Sequence, residues 1–486
     1  MGFLARIFSK RSNTNLARPP QAFFTNTLSG KKELFISQKP GLVLFYSCGP
    51  TVYWQAHIGN LRAYVFSDTI ARVLSSAGYR VRRVINITDV GHMVGDGDHG
   101  EDKMAAGAKR EKTTPEAIAA RYTKIFLEDL DELNIDTNDI RFPRATEFIQ
   151  EQIALAKTLE EKGFAYRLSD GLYFDTQKFP GYGKLGGLSH VEMEAGARVE
   201  VVKSKRHPAD FVLWRAAKPK DLQQWNSPWG RGNPGWHIEC SAMARALLGQ
   251  EIDIHTGGED HIAVHHNNEI AQSEAASGRT FVHYWMHNAF INMGTEKISK
   301  SLGNVVHLSD IIEKGFHPLA LRYFFLQAHY RTPLSFSWDA LAGAGNALER
   351  LWNLSREIAH ESGMKSASSE ARERFLVTMR DDLATPQALG ILWESLKSEE
   401  YAPEEKWGLL EDAEAHLGLS LLTPPALKAL TEADIPKEIK EMLARREAAR
   451  ASKDFKESDR IRDEILHRGY RVDDGAKGPV LTRDAI

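Results

Sequence analysis

Two cysteines, one histidine and one glutamate have residue types and spacing that could bind a metal ion. Cys48 and Cys240 are the only cysteines among 486 residues. His265 and Glu269 are four residues apart, and a helix over 268–275 would place both side chains on one face. Two thiolates, an imidazole and a carboxylate suit zinc better than magnesium or calcium. The same residues also fit two buried cysteines and a core histidine, so spacing alone leaves the choice open.

A second group of residues could bind a nucleotide. "HIGN" (57–60) follows a predicted strand and opens a predicted helix, where a glycine lets a phosphate approach backbone N–H groups. His57 could donate to a phosphoryl oxygen as charge develops there. Lys297 and Lys300 lie in "GTEKISKSLGN" (294–304), which could close on ATP as a flexible loop. A short lysine cluster is more often a solvated turn, so it is the pairing of the two motifs that favours a nucleotide site.

A βαβ unit is predicted to position these side chains. "GLVLFYSCGP" (41–50) is typical of a buried strand, "NLRAYVFSDTIARVLSSAGY" (60–79) of a helix and "RVRRVINITD" (80–89) of the next strand. This order indicates a parallel sheet, which binds ligands at the carboxyl ends of its strands. The side chains expected in one pocket there are Cys48, His57, Thr88 and Asp89.

The rest of the chain predicts an inserted subdomain and then helices. The turn-rich "DGLYFDTQKFPGYGKLGGLS" (170–189) indicates small strands of an insertion. The parallel sheet is then expected to resume at "FVLWRAA" (211–217) and "QEIDIHTGG" (250–258). From about residue 340 onward, apolar residues three to four apart indicate helices.

Composition limits the class of protein. A chain of 54.5 kDa is expected to form two to four domains. The net charge of −3 argues against bulk electrostatic capture of nucleic acid but allows a local basic face. Two distant cysteines cannot form a disulfide framework, and no run of 18 apolar residues predicts a membrane span.

A cytoplasmic location is therefore the prediction. The first 20 residues, "MGFLARIFSKRSNTNLARPP", are basic and lack acids, as organelle transit segments do. A disordered basic tail or a start codon placed too far upstream is the favoured explanation, and targeting to an organelle is the minor alternative.

The sequence resembles the cysteinyl-tRNA synthetases, a family of class I aminoacyl-tRNA synthetases. "HIGN" and "KISKS" are similar to the HIGH and KMSKS signatures of that class. The narrower resemblance rests on "CGPTVYWQAHIGN", "SPWGRGNPGWHIECSAMA", "HHNNEIAQSE", "YWMHNAFINMG" and "ISKSLGN", and continues through "DDLATPQAL" and "KDFKESDRIRDE". It covers about residues 23–486. Motifs of this length in this order are more specific than either short signature.

The resemblance implies an α/β fold, with a Rossmann-like parallel sheet in a class I catalytic domain, an inserted subdomain and C-terminal α-helical domains. The implied division is a basic tail (1–22), a first catalytic half (23–110), an inserted connective subdomain (111–200), a second catalytic half (201–290), a KMSKS-type loop with a stem-contact region (291–340), a helical bundle (341–430) and a small anticodon-binding region (431–486).

The resemblance also implies one Zn²⁺ per chain, bound by Cys48, Cys240, His265 and Glu269. Both cysteines would then be zinc ligands. Shape alone separates cysteine from serine or alanine poorly, by about 1–3 kcal/mol. A zinc-bound substrate thiolate would add a soft-ligand contribution that serine cannot match, and this would explain discrimination without an editing domain.

The implied reaction has two steps. The carboxylate of L-cysteine attacks the α-phosphate of ATP, which carries Mg²⁺, and releases pyrophosphate; the terminal ribose of tRNA(Cys) then accepts the cysteinyl group. The implied cysteine-binding residues are Thr51, Thr88 and Trp236. The implied ATP-binding residues are His57, Gly59, Asn60, Gly257, Gly258, Asp260 and Lys300. The implied catalytic residues are His57, Lys297 and Lys300. A monomer without membrane contact is expected.

The sequence departs from the family pattern at four places. Asn60 replaces the second histidine of HIGH, and Ile298 replaces the methionine of KMSKS with similar volume. "GHMVGDGDHGE" (91–101) is an insertion that could be a lid over the site or a tolerated surface loop. "GPVL" (478–481) stands where the family often has Gly-Thr-Thr-Trp, which puts base stacking by the C-terminal tail in doubt.

Three other functions compete with this interpretation. A cysteine ligase of the same superfamily would pass cysteine to an amino sugar, yet about 150 residues follow the catalytic part here and favour tRNA. A non-catalytic tRNA-binding paralogue would have lost signature residues, and these remain. A methionyl-type synthetase is disfavoured because Cys48 and "GWHIECSAM" match the cysteine-specific pattern.

Overall fold

The computed structural model describes residues 20–92, 102–187, 204–219, 221–293, 296–297, 305–426, 435–468, 470–475 and 478–483. The strands are β1 (Phe23–Asn26), β2 (Lys31–Leu34), β3 (Leu42–Ser47), β4 (Arg80–Ile85), β5 (Ile140–Arg141), β6 (Ala165–Leu168), β7 (Gly171–Phe174), β8 (Phe211–Ala216), β9 (Trp225–Ser227), β10 (Gly230–Pro234), β11 (Ile252–Gly258), β12 (Val282–Asn288), β13 (Ile291–Met293), β14 (Glu296–Lys297), β15 (Leu334–Phe336), β16 (Tyr470–Gly475) and β17 (Gly478–Arg483).

The α-helices of the described residues are α1 (Ile58–Ser76), α2 (Lys103–Glu111), α3 (Pro115–Glu132), α4 (Ile149–Glu161), α5 (Trp236–Leu247), α6 (Asn267–Ser277), α7 (Leu308–Glu313), α8 (Pro318–Leu326), α9 (Trp338–Ser362), α10 (Glu370–Arg380), α11 (Thr385–Lys397), α12 (Pro403–Leu417), α13 (Lys437–Ala451) and α14 (Phe455–His467). None of them is both long and apolar enough to cross a membrane.

A five-stranded parallel sheet forms the centre of the catalytic half of the molecule. Its strand order is β12-β11-β3-β4-β5, and every neighbouring pair is parallel. Phe45 packs in one apolar core, and Leu44 and Tyr46 pack in the other, so both faces of the sheet are covered. This burial explains the nearly continuous apolar run of β3. The predicted α/β class and the predicted βαβ unit are confirmed.

The strand order reverses between β3 and β11. On one side of the reversal the strands follow in the order β3, β4 and β5. On the other side they follow in the order β11 and β12, in the opposite direction across the sheet. In open parallel sheets such a reversal leaves a crevice at the carboxyl ends of the two central strands, where ligands bind. The residues that follow β3 and β11 therefore face the expected site.

The inserted subdomain is a separate antiparallel sheet with strand order β6-β7-β8-β10-β9. The prediction that the parallel sheet resumes at 211–217 is wrong, because β8 pairs antiparallel with β7 and β10. A short strand with buried apolar residues has the same sequence pattern in a parallel and in an antiparallel sheet. The strands with which it pairs therefore decide to which sheet it belongs. The parallel sheet resumes only at β11. The other predicted domain boundaries stay predictions.

The predicted helical character after residue 340 is confirmed. Helices α9 to α12 pack together beside α8, and their apolar residues are continuous with the core around α1. Helices α13 and α14 and the β16–β17 hairpin form a smaller unit with its own apolar cluster. Most of the insertion at 91–101 and of the lysine loop at 294–304 lies outside the described residues.

Candidate functional site

Cys48 lies directly after β3, at the reversal of the strand order. Its backbone N–H donates to the Thr256 carbonyl oxygen on β11 at 3.0 Å, so the two central strands hold it between them. Gly49 follows it, and a Cβ there would stand 1.6 Å from the Asn86 carbonyl oxygen. Only glycine fits this close approach of two chain segments. The turn after β3 thereby aims Cys48 along the crevice.

Cys240 comes from the first turns of α5. The helix begins after Gly235, where a Cβ would stand 2.1 Å from the Val212 carbonyl oxygen of β8. This contact lets the N-terminus of α5 pack tightly against the inserted sheet. The side chain of Cys240 is buried, and its Sγ lies 3.7 Å from Asn86 Oδ1.

His265 and Glu269 lie on one face of a continuous helical segment. A π-helical turn (Ile262–His266) leads into α6, so the predicted helix over 268–275 is confirmed. His265 Nε2 and Glu269 Oε1 are 3.1 Å apart, and both side chains are buried.

The four predicted ligands form one cluster. The ligand atoms of Cys48, Cys240, His265 and Glu269 all lie within 4.8 Å of one another. The buried Nε2 of His265 has no hydrogen-bond partner of suitable geometry among the described residues, although it points at the cluster. A buried polar atom without a partner is costly, and a metal ion would supply the missing interaction. Two sulfur donors, one nitrogen and one oxygen fit a tetrahedral zinc site.

The pKa values of Cys240, Glu269 and His265 favour their charged forms, whereas the pKa of Cys48 favours the neutral thiol. Burial raises the pKa of the Cys48 thiol, whereas a hydrogen bond from Cys48 lowers the pKa of Cys240, so one thiolate is stabilised by the other thiol. Burial would raise the pKa of Glu269, but His255 and His265 lower it to about 2. Burial would lower the pKa of His265, but Cys240 and Glu269 raise it to about 10. The Cys240 thiolate and the Glu269 carboxylate would supply negative charge to a bound cation, which would have to displace the proton that His265 holds in its absence.

A second, overlapping set of side chains could also hold a metal ion. It shares Cys48 and Glu269 but replaces the other two ligands by His255 and His266. His255 Nε2 donates to Glu269 Oε2 at 3.0 Å, while its buried Nδ1 has no hydrogen-bond partner among the described residues. His266 Nδ1 lies 2.7 Å from His287 Nε2. The set with two thiolates suits zinc better, and His255 then acts as an outer partner that orients the carboxylate ligand.

The residues predicted to bind cysteine lie beside this cluster. Thr51 and Thr88 form a parallel bridge, in which the Val52 N–H donates to the Thr88 carbonyl oxygen at 3.1 Å. The ring of Trp236 has its centroid 4.5 Å from that of His265. Trp236 therefore contacts a predicted metal ligand directly, and Thr88 is linked to Cys240 through Asn86, with Thr51 beside Thr88.

The residues of "HIGN" form the N-terminus of α1. The Asn60 N–H donates to His57 Nδ1, and the His57 N–H donates to Asn60 Oδ1, each at 3.2 Å. This reciprocal cap is available to asparagine, which explains how the helix end tolerates the replacement of histidine. A Cβ at Gly59 would stand 2.9 Å from the His57 ring. Glycine therefore leaves the imidazole in place above the helix end.

The other predicted ATP-binding residues are placed in part. Gly257 and Gly258 end β11, and a Cβ at Gly258 would stand 2.4 Å from Asp260 Oδ1. Gly257 and Gly258 thus lie at the carboxyl end of β11, and His57 lies between β3 and α1, so both come after the two strands at which the strand order reverses. The backbone of Lys297 lies in β14, paired with β13, whereas Lys300 lies outside the described residues. The contact of the lysine loop with ATP stays a prediction.

Comparisons with known proteins fit the geometry of this site. A model of the class I tRNA synthetase (C) catalytic domain matches residues 34–346, and a model of the cysteinyl-tRNA ligase anticodon binding domain matches residues 432–478. The chain is 45% identical over 453 residues to cysteine–tRNA ligase 1 of Burkholderia lata, an alignment that covers 92% of this chain and 94% of the relative. The chain belongs to the cysteinyl-tRNA synthetase family.

Further relatives and solved structures agree with this membership. The chain is 42% identical over 479 residues to the cysteine–tRNA ligase of Treponema denticola, covering 93% of this chain and 97% of the relative. Methionyl-tRNA synthetase of Mycobacterium tuberculosis, in complex with methionyl-adenylate, superposes with a TM-score of 0.54 at 17% identity, covering 79% of this chain and 92% of that one. LeuRS in a complex with tRNA and LeuAMS, from Agrobacterium radiobacter K84, superposes with a TM-score of 0.57 at 11% identity, covering 81% of this chain and 86% of that one. These two structures show the shared class I fold.

Sequence reasoning missed several polar residues of this cysteinyl-tRNA synthetase site. Glu239 and Asn86 are buried next to the predicted cysteine pocket, and His92 at the start of the insertion contacts Glu239 at 2.6 Å. Glu239 and Asn86 lie inside motifs that carried the resemblance or the strand prediction, so the signal was present. The contacts of Glu239 and Asn86 could not be predicted from these motifs, because the contacts join segments about 150 residues apart.

Proposed function

We propose that the protein is a cysteine–tRNA ligase, which joins L-cysteine to ATP and then transfers the cysteinyl group to the 3′-terminal ribose of tRNA(Cys). The observation that carries the proposal is the buried cluster of two cysteines, His265 and Glu269 directly beside Thr88 and Trp236. A soft donor set adjoining a small polar pocket is what selection of a substrate thiol requires. Family membership supports the same reaction.

Zn²⁺ is the metal proposed for the cluster. Cys48, Cys240, His265 and Glu269 would hold it, and when bound it supplies a Lewis acid for the thiolate of the substrate. His255 fixes the plane of the Glu269 carboxylate. Serine, with a harder and less acidic hydroxyl, gains less from such a site.

The adenylate is proposed to form at the N-terminus of α1. Backbone N–H groups and the partial positive charge of the helix end favour the phosphates of ATP, and Gly59 leaves room for their approach. The Asn60 N–H holds the His57 imidazole, which is proposed to donate to the α-phosphate as negative charge accumulates there. Lys297 and Lys300 are proposed to stabilise the leaving pyrophosphate, with Mg²⁺ bound to ATP. Gly257, Gly258 and Asp260 are proposed to contact the adenosine.

The C-terminal unit favours tRNA over an amino-sugar acceptor. The match to an anticodon binding domain covers 432–478. In this unit Phe455 is 62% exposed at the start of α14, between Lys453 and Lys456. An exposed aromatic ring suits stacking on an unpaired base, although Asp454 and Glu457 stand beside the two lysines in this stretch. A monomer in the cytoplasm stays a prediction.

ATP–pyrophosphate exchange with cysteine, serine and methionine tests the first step. Exchange with cysteine alone, at about one zinc ion per chain, is the expected result. Charging of tRNA(Cys), set against transfer to glucosaminyl-inositol, then tests the acceptor. Absence of exchange by zinc-loaded protein would contradict the proposal and favour a non-catalytic tRNA-binding role.

A further inference from the structure

We propose that His92 is a positioning residue for the cysteine pocket and acts through Glu239; the inference rests on the proposed function. His92 Nε2 lies 2.6 Å from Glu239 Oε1, and the two residues are 6% and 0% exposed. A carboxylate oxygen accepts, so the imidazole donates. His92 is the second residue of the 91–101 segment, and its partner lies on the helix that carries a predicted metal ligand and Trp236.

Glu239 joins His92 to the wall of the pocket. Its other oxygen, Oε2, accepts from the Thr88 hydroxyl at 2.9 Å. The Thr88 oxygen in turn accepts from Asn86 Nδ2 at 3.0 Å, and Asn86 Oδ1 accepts from the Gly49 N–H at 2.8 Å. A continuous line of hydrogen bonds therefore runs from the insertion, past a predicted cysteine-binding residue, to the turn that holds Cys48.

The carboxylate needs both donors to keep one orientation. Glu239 is fully buried, and each of its oxygens has one side-chain donor among the described residues. Without His92, Oε1 would be left unpaired inside the protein, which is costly and frees the carboxylate to rotate. Rotation of that group would release the Thr88 hydroxyl. Loss of His92 would therefore change the cysteine pocket, because Thr88 is proposed to line that pocket.

The two ends of the insertion are both anchored at this pocket. The Lys103 N–H donates to the His92 carbonyl oxygen at 2.8 Å, which joins the ends on either side of 93–101. The Gly91 N–H donates to Gln223 Oε1 at 2.9 Å. Lys103 also places its Nζ 5.1 Å from the centre of the Trp236 ring, and the His92 ring lies 6.4 Å from that ring. The base of the insertion thus supports the first turn of α5.

His92→Ala and His92→Gln separate positioning from folding. Glutamine can present an amide N–H at about the place of Nε2, and alanine cannot. We expect His92→Ala to weaken binding of L-cysteine about tenfold, measured by titration calorimetry without ATP, and to raise KM for cysteine in pyrophosphate exchange by a similar factor. KM for ATP, kcat and zinc content should stay within about twofold of wild type. His92→Gln should recover most of the cysteine affinity.

Tyr166→Phe is the matched control, because it removes a buried hydrogen bond of 2.7 Å to Asp210 in the inserted subdomain and leaves His92, Glu239 and Thr88 intact. Cysteine affinity should not change in it. If His92→Ala does not fold, His92→Asn, one methylene shorter than glutamine, gives the same comparison. Unchanged cysteine affinity in a folded His92→Ala protein would overturn the inference. So would equal losses for cysteine and ATP, or loss of zinc. Wild-type protein inactive with cysteine would instead contradict the proposed function.

Discussion

Arg322 of α8 donates from Nη2 to Asp68 Oδ2 of α1 at 2.6 Å, and both side chains are buried. The same guanidinium donates to the Leu417 carbonyl oxygen at the end of α12 and to the Leu133 carbonyl oxygen after α3. Burial would raise the pKa of Asp68, but Arg72 and Arg322 hold it well below its usual range. One arginine therefore links the helix that carries "HIGN" to the helical domain.

Replacing Arg322 should loosen this link. Arg322→Met removes one of three arginines that contact the buried Asp68; because Arg72 and Arg83 remain, the loss of stability should be below the ~3–5 kcal/mol of a buried pair that is left uncompensated. Arg374→Met is the control, because Arg374 and Glu394 form an ion pair at 3.5 Å with both side chains exposed, and such pairs contribute at most about 1 kcal/mol. Denaturant midpoints should fall clearly for the first variant and little for the second. Equal midpoints would show that the buried pair is not a stabilising contact.

Asp129 of α3 should make stability depend on pH. Burial, with Glu128 and Glu132 nearby, raises the pKa of Asp129 to about 7, and its Oδ2 has no hydrogen-bond partner among the described residues. The pKa of an aspartate in the unfolded chain is about 3.9, so ionisation of Asp129 destabilises the folded state. This loss of stability is absent below about pH 4, grows with pH and is complete above about pH 7. Asp129→Asn should therefore stabilise the protein, by about 2 kcal/mol more at pH 8 than at pH 5.5.

Melting curves of both proteins at the two pH values check this prediction. Asp131→Asn removes an exposed carboxylate from the same helix and should show no comparable pH dependence. A gain for Asp129→Asn that is the same at pH 5.5 and pH 8 would mean that Asp129 titrates normally.

The two overlapping metal sets can be separated by zinc content. If zinc occupies the set with two thiolates, Cys240→Ser should lose most of the bound zinc and raise KM for cysteine more than KM for ATP. His266→Asn should keep zinc, because His266 belongs only to the other set. The ion can be counted by atomic absorption after dialysis. The opposite pattern, retention in Cys240→Ser and loss in His266→Asn, would assign the ion to the second set.

Phe455 should contribute to tRNA binding without affecting activation. Stacking on one base is worth about 1–3 kcal/mol, so Phe455→Ala should raise KM for tRNA(Cys) between about fivefold and a hundredfold. Pyrophosphate exchange, which needs no tRNA, should be unchanged. Phe455→Trp keeps an aromatic ring and should behave like wild type. An unchanged KM for tRNA(Cys) in the alanine variant would exclude a stacking role.

The local elements of the catalytic domain could be predicted from the sequence because each has a short-range cause. The apolar run of β3, the start of α1 at His57 and the end of that helix before Gly78, whose φ is +94°, depend on neighbours within a few residues. The strand at 211–217 was assigned to the wrong sheet because its sheet membership depends on residues distant in the sequence. Its partners, β7 and β10, are chosen by packing rather than by its own residues.

The sequence by itself determined the residue types that could do chemistry in this protein: the sulfur donors of Cys48 and Cys240, the glycine-containing N-terminus of α1 that is predicted to bind phosphate, and the motifs of the family. Only the tertiary structure decided which atoms meet. It brought Cys48 within 4.8 Å of ligands from α5 and α6, revealed a competing set through His266, and joined His92 to Glu239. The physical reason is that residue type fixes what a side chain can bind, whereas contacts between segments 150 or more residues apart arise only when the sheet and its inserted domain pack together.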